Sequence, residues 1–208
     1  EPQWGVANRI ARALGKIGGE FARDGLLKAV DSPDAKIRAG IVQALGGFMD
    51  DEKVARALKK IAQGDPSYRV EAGALSSLGR IKAKNCRPFL EGFLNRPSHN
   101  DIGRSAIFRA LANLEEEQAW ATLLEGADYG AARGSRFSAI QGLAKLAGRF
   151  EHLKPEAINT LKRFAQETRG TPSATFRGKL AAIQAMGELE DLSSIPTLRK
   201  LAEGETDG

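Results

Sequence analysis

The chain has 208 residues, 42% of them hydrophobic and only 6% aromatic, which suffices for a continuous core but suits packed helices better than a β-sandwich rich in Val, Ile, Thr and Tyr. Lys and Arg outnumber Asp and Glu by 31 to 26, giving +5 and a pI near 9.4, a balance that permits an acidic partner without demanding one. A single cysteine, Cys86, excludes an internal disulfide and a cysteine-based metal cluster, and no apolar run approaches the ~18 residues of a membrane span.

The first predicted helix carries Ala13-Leu14-Gly15, with Ile10 four residues before the Leu and Ile17 three after it. The same signature, a small residue, Leu or Met, then Gly or Ala, returns at Ala44-Leu45-Gly46, Ser77-Leu78-Gly79 and Ala110-Leu111-Ala112. It continues at Gly142-Leu143-Ala144 and Ala185-Met186-Gly187, with successive spacings of 31, 33, 33, 32 and 43 residues. The flanking positions are apolar throughout: Ile41, Ala74, Ile107, Ala139 and Ala182 before, Phe48, Ile81, Leu114, Leu146 and Leu189 after. These offsets define one helical face. The long last spacing places an insertion at Glu167–Ser173.

Shorter helical runs stand between the triplets: Val54 to Ala62, Phe89 to Leu94, Leu123-Leu124, Ile158 to Ala165 and Ile195 to Leu201. Each unit is therefore two antiparallel helices of about 11–16 residues. Ser32-Pro33, Asp65-Pro66 and Thr171-Pro172 set a capping side chain before a Pro suited to a first helical position, and Ser98-His99 falls in the same column. A lone helical hairpin cannot bury its apolar face, so the units must stack. The expectation is an all-α fold of about six hairpins in a single domain, 1–208, whose start without Met reads as a processed chain or a fragment.

A search for chemistry finds little. His99 and His152 are the only histidines, far apart and without cysteine partners, so metal binding is not expected. No zinc His-Glu-x-x-His, nucleophile elbow, phosphate loop or dinucleotide fingerprint appears. Glu115-Glu116-Glu117 reads as a helix opening, where negative charge favours the dipole. Glycines at Gly15, Gly46, Gly79 and Gly187 read as close-packing positions, Cys86 as a buried hydrophobe, and Tyr68 and Tyr129 as packed rings with wet hydroxyls. No catalytic or cofactor residue is assigned.

Ser32-Pro33-Asp34-Ala35-Lys36-Ile37-Arg38 followed by Ala44-Leu45-Gly46 resembles the HEAT-repeat pattern, as does Asp65-Pro66-Ser67-Tyr68-Arg69-Val70-Glu71 followed by Leu78-Gly79. The second run has Glu71 where Arg is usual, which argues against a regular Asp–Arg ladder. The resemblance implies a right-handed α-α superhelix. Asp65 to Leu75, Asn100 to Ile107, Gln118-Ala119-Trp120 and Trp4 to Ile10 also resemble the C-terminal helical domain of bacterial M1-family zinc aminopeptidases. That resemblance implies a bacterial, non-catalytic domain covering an upstream zinc-bearing catalytic domain of the same polypeptide and sharing that enzyme's cytoplasmic or exported location.

In a HEAT solenoid the second helix of each hairpin lines the concave side. Positions nine, five and two before the triplet Leu or Met, and two after it, lie opposite the core. Nine of them are basic: Arg9, Arg12, Lys16, Lys36, Arg69, Arg80, Arg109, Lys145 and Arg177, against one acid, Glu188. A basic groove focuses field on carboxylates or phosphates. The sequence thus supports two main readings: a peptidase domain facing its catalytic neighbour, or an interaction scaffold binding an acidic protein or peptide. Nucleic acid is disfavoured, because those columns hold no aromatic for base stacking.

Overall fold

The computed structural model describes residues 3–128, 133–167 and 172–204, without the side chains of 133 and 172–175. Tyr129, Thr171 and most of the insertion at Glu167–Ser173 lie outside the described residues. The described residues hold twelve α-helices and no strand. They are α1 (Trp4–Ile17), α2 (Gly19–Ala29), α3 (Ala35–Leu45), α4 (Glu52–Gly64), α5 (Tyr68–Arg80) and α6 (Arg87–Glu91). There follow α7 (Ile102–Leu114), α8 (Trp120–Ala127), α9 (Arg133–Arg149), α10 (Lys154–Ala165), α11 (Pro172–Glu188) and α12 (Ile195–Gly204).

The helices alternate between two roles, as expected of an α-α solenoid. The triplets fall on α1, α3, α5, α7, α9 and α11, the second-type helices, and the intervening first-type helices pack beside them. The hairpins α2–α3, α4–α5, α6–α7, α8–α9 and α10–α11 are complete. Contacts gather into two compact units, 1–114 and 115–208, where the sequence reads as one domain over 1–208. In the first unit α1, α3, α5 and α7 pack side by side in order; in the second, α9 packs on α11.

The core follows the repeat register. The triplet residues Leu45, Leu78, Leu111, Leu143 and Met186 are buried, as are Ile41, Ala74, Ile107, Ala139 and Ala182 four residues earlier. α1 departs from this. Ile10 is 55% exposed where its equivalent Ile41 is 2% exposed, and Ile17 is 76% exposed where Phe48, Ile81 and Leu146 are buried. The reason is positional: among the described residues no first-type helix precedes α1.

Pro172 opens α11 as expected, but two other helix starts differ from the Pro-based expectation. Immediately after Ser32-Pro33, the N-cap of α3 is Asp34, whose carboxylate accepts from the Lys36 N–H at 2.7 Å. The N-cap of α5 is Ser67, and Asp65 accepts from the Ser67 N–H at 2.8 Å. Both Pro residues thus lie in the turn rather than at a first helical position. α6 is shorter than Phe89–Leu94 suggests, because the chain leaves the helix at Gly92 and continues in tight turns through Phe93, Leu94 and Arg96. Glu117 opens a 3-10 turn ahead of α8, not the helix itself, and its carboxylate meets His152 at 3.0 Å.

Candidate partner-binding groove

The inner sides of α1, α3, α5 and α7 enclose a groove of about 900 Å³ in the first unit. Its floor is made of small residues, Gly15, Ala39, Gly40, Ala44, Gly46, Gly47, Ala72 and Gly73. Small side chains let neighbouring helices approach. A Cβ on Gly15 would stand 2.7 Å from the Ala44 carbonyl oxygen, and one on Gly79 would stand 2.7 Å from the Ala110 carbonyl carbon. The triplet glycines on α1 and α5 are therefore required by backbone contact. Gly187, expected to serve likewise, has open space around it, because no further second-type helix follows α11 among the described residues.

Six cations line this floor: Arg12, Lys16, Lys36, Arg69, Arg80 and Arg109. Among the described lining residues there is no Asp or Glu. Of the predicted columns on α3 and α5, Lys36, Gly40, Gln43, Gly47, Arg69, Gly73, Ser76 and Arg80 all line the groove. On α1 the predicted Arg12 and Lys16 line it together with Trp4 and Asn8, and Arg9 is exposed without lining the groove. On α7 Ile102 and Arg109 line it, while Ala106 is buried. Lys145 and Arg177 belong to the second unit, exposed on α9 and α11.

Arg80 is the most tightly positioned of these cations. Its Nη2 donates to the Gln43 carbonyl at 2.9 Å and to Ser77 Oγ at 2.7 Å, and Ser77 Oγ donates in turn to the Val42 carbonyl at 2.9 Å. Its Nε is buried without a partner. Gly46 makes room for it, since a Cβ there would stand 2.6 Å from the guanidinium carbon. Burial pushes the Arg80 and Arg109 pKa values down from the ordinary guanidinium range, because a charged group loses water there. Both remain charged at neutral pH. An anion in the groove would replace part of that lost hydration through charge-assisted hydrogen bonds.

At one end Lys36 Nζ lies 5.0 Å from the centre of the Trp4 ring, within cation–π range. The sequence columns leave out the position six before the triplet Leu, which Asn8, Ala39 and Ala72 hold and which lines the groove on all three helices, and they leave out Trp4 as well. Asn8 Oδ1 is buried without a partner, and a Cβ on Gly40 would collide with that amide.

Other charges of the first unit are spent on structure. Arg38 grips Asp65 with two hydrogen bonds, 2.7 and 2.9 Å, and also donates to the Ser32 and Pro33 carbonyls. Arg23 meets Asp51 at 3.1 Å, and Asp51 also accepts from the Lys53 and Val54 N–H groups. Glu71 faces Arg96 at 3.7 Å, which reverses the polarity of the Arg38–Asp65 pair, and burial pushes its carboxyl pKa up. In the second unit Arg136 donates to Glu167 at 2.7 Å and to the Ala127 carbonyl at 2.8 Å.

Among the described residues no group of three His, Cys, Asp or Glu side chains could hold a metal, and no helix is long and apolar enough to cross a membrane. A family model described as HEAT repeats matches residues 1–79 and again 55–144. The chain is 30% identical over 130 residues to phycocyanobilin lyase subunit alpha from Nostoc sp.. That alignment covers 57% of this chain and 46% of the relative, so the chain spans less than half of that protein's length. Human deoxyhypusine hydroxylase, solved in complex with glycerol, superposes with a TM-score of 0.47 at 15% identity, covering 96% of this chain and 89% of that one.

These matches overturn the aminopeptidase reading. The matching family model describes HEAT repeats and the curated relative is a lyase subunit; neither is a metallopeptidase. The short runs that suggested the peptidase domain lie mostly at repeat positions, where the packing of any HEAT hairpin selects similar residues.

Proposed function

The chain belongs to the HEAT-repeat family, and from that premise we propose that its first unit is a binding module for an acidic stretch of a protein partner. The observation that carries this reading is the sign of the groove: six cations line it, with no carboxylate among the described lining residues. Several carboxylates of the same unit are instead engaged by Arg23 and Arg38. The curated relative is itself named a subunit, which supports a role exercised in company.

The groove offers Arg69 and Lys16 to incoming carboxylates, with Arg80 held flat against the end of α3 by Gln43 and Ser77. Its small-residue floor leaves depth for an extended main chain, and Trp4 offers an apolar surface at one end. The test is titration of a fluorescein-labelled polyglutamate peptide into the wild-type chain and into Arg69→Glu combined with Arg80→Glu. The double variant should bind at least about 30-fold more weakly, the order expected when charge-assisted contacts become repulsive. Equal affinity for both proteins, with unchanged circular dichroism, would exclude the groove as the site.

A further inference from the structure

We propose that the inner side of α9 and α11 in the second unit is a docking site for the apolar side chains of an acidic polypeptide. This goes beyond the groove reading and rests on different residues. Phe137, Phe176 and Leu180 are exposed to 40, 52 and 47%. Single exposed apolar residues are ordinary on protein surfaces, but these three share a register.

Phe137 and Leu180 stand six residues before Leu143 and Met186, and Phe176 stands ten before Met186. The same two repeat positions on α1, α3 and α5 include Trp4, Asn8, Ala39 and Ala72, all of which line the basic groove. Phe176 and Leu180 are one turn apart on the same face of α11. α11 crosses α9 at this level, since a Cβ on Gly178, midway between them, would stand 3.0 Å from the Arg136 guanidinium, next to Phe137 in sequence. The binding side that is polar and small-floored in the first unit is thus apolar and large in the second.

The charge beside this patch selects the occupant. Arg177 adjoins Phe176 and is exposed, and Lys145 is exposed on α9 at the position two residues after the triplet Leu. Glu188 holds the corresponding position on α11, where its carboxylate accepts from Gln184 at 3.0 Å. A polypeptide supplies both a carboxylate for Arg177 and aliphatic or aromatic side chains for Phe137, Phe176 and Leu180. A phosphodiester supplies charge but nothing to cover Leu180.

The experiment compares two labelled peptides by fluorescence anisotropy on the full chain: polyglutamate with Leu and Phe at every fourth position, and the same peptide with Ser there. The apolar peptide should bind at least about tenfold more tightly, the order set by taking one or two such side chains out of water. Combining Phe137→Ser, Phe176→Ser and Leu180→Ser should bring the two peptides to equal affinity. Phe176→Ser alone, at an exposed position, should reduce the ratio severalfold if the triple variant melts early. Arg69→Glu with Arg80→Glu should leave the ratio intact, so failure of the groove reading and failure of this one are separable. A ratio near one in the wild-type chain, or a ratio that persists in the serine variants, overturns the proposal. So does an oligothymidylate that binds through these three side chains while the two peptides are not distinguished.

Discussion

At the scale of single residues, the ion pair Arg38–Asp65 shows how one carboxylate serves two ends. It joins the start of α3 to the turn before α5, and it accepts from the Ser67 N–H. Burial alone would push the Asp65 carboxyl up, but the hydrogen bonds from Arg38 and Ser67 outweigh it and hold the pKa below the ordinary 3.8. A depressed folded-state pKa means that the stabilisation is present above that ordinary value and is lost as pH falls through the lower, folded one. Asp65→Ala should therefore lower unfolding stability by about 2–3 kcal/mol at pH 7, since Arg38 is left buried without its counter-charge. The gap from wild type should close as pH falls below 4, which urea unfolding across a pH series measures. The Asp-Pro motif made Asp65 visible in the sequence as a cap. Its partner on the preceding hairpin was not visible, because nothing in spacing says which carboxylate an Arg reaches.

At the scale of elements, one sequence column performs different tasks in different helices. Gly15 and Gly79 admit the backbone of the next second-type helix, Gly46 admits the Arg80 guanidinium, and Gly187 has open space. Gly79→Ala should cost about 2 kcal/mol, because the added methyl meets main chain that cannot move aside. Gly187→Ala should stabilise by about 0.5 kcal/mol through helix propensity alone. Thermal melts of the two variants, one shifted down and the other level or up, check the contrast. The helices themselves were legible from the triplet and its flanking apolar residues. The starts of α3 and α5 were not, because Pro33 and Pro66 mark turns, while Asp34 and Ser67 stand at the caps.

At the scale of the whole molecule, charge is sorted by location. The sequence carries only +5, yet one groove gathers six cations from four helices that span residues 4–114 of the chain. Binding that depends on this excess should weaken with ionic strength, since the Debye length falls from about 14 Å at 50 mM salt to about 5 Å at 400 mM. Affinity for polyglutamate should drop at least about tenfold over that range, read by anisotropy. The apolar increment assigned to Phe137, Phe176 and Leu180 should hold steady or grow, because burial of apolar area is not screened.

The sequence by itself determined the helical hairpins, their number and the side of α3 and α5 that carries Lys36, Arg69 and Arg80, because a period near 33 residues with fixed apolar offsets leaves one consistent helical face. Only the tertiary structure decided which cations share a space. On α1, Trp4 and Asn8 share the groove with Arg12 and Lys16, while Arg9 does not line it. The division into two compact units likewise depends on contacts among residues far apart in the chain.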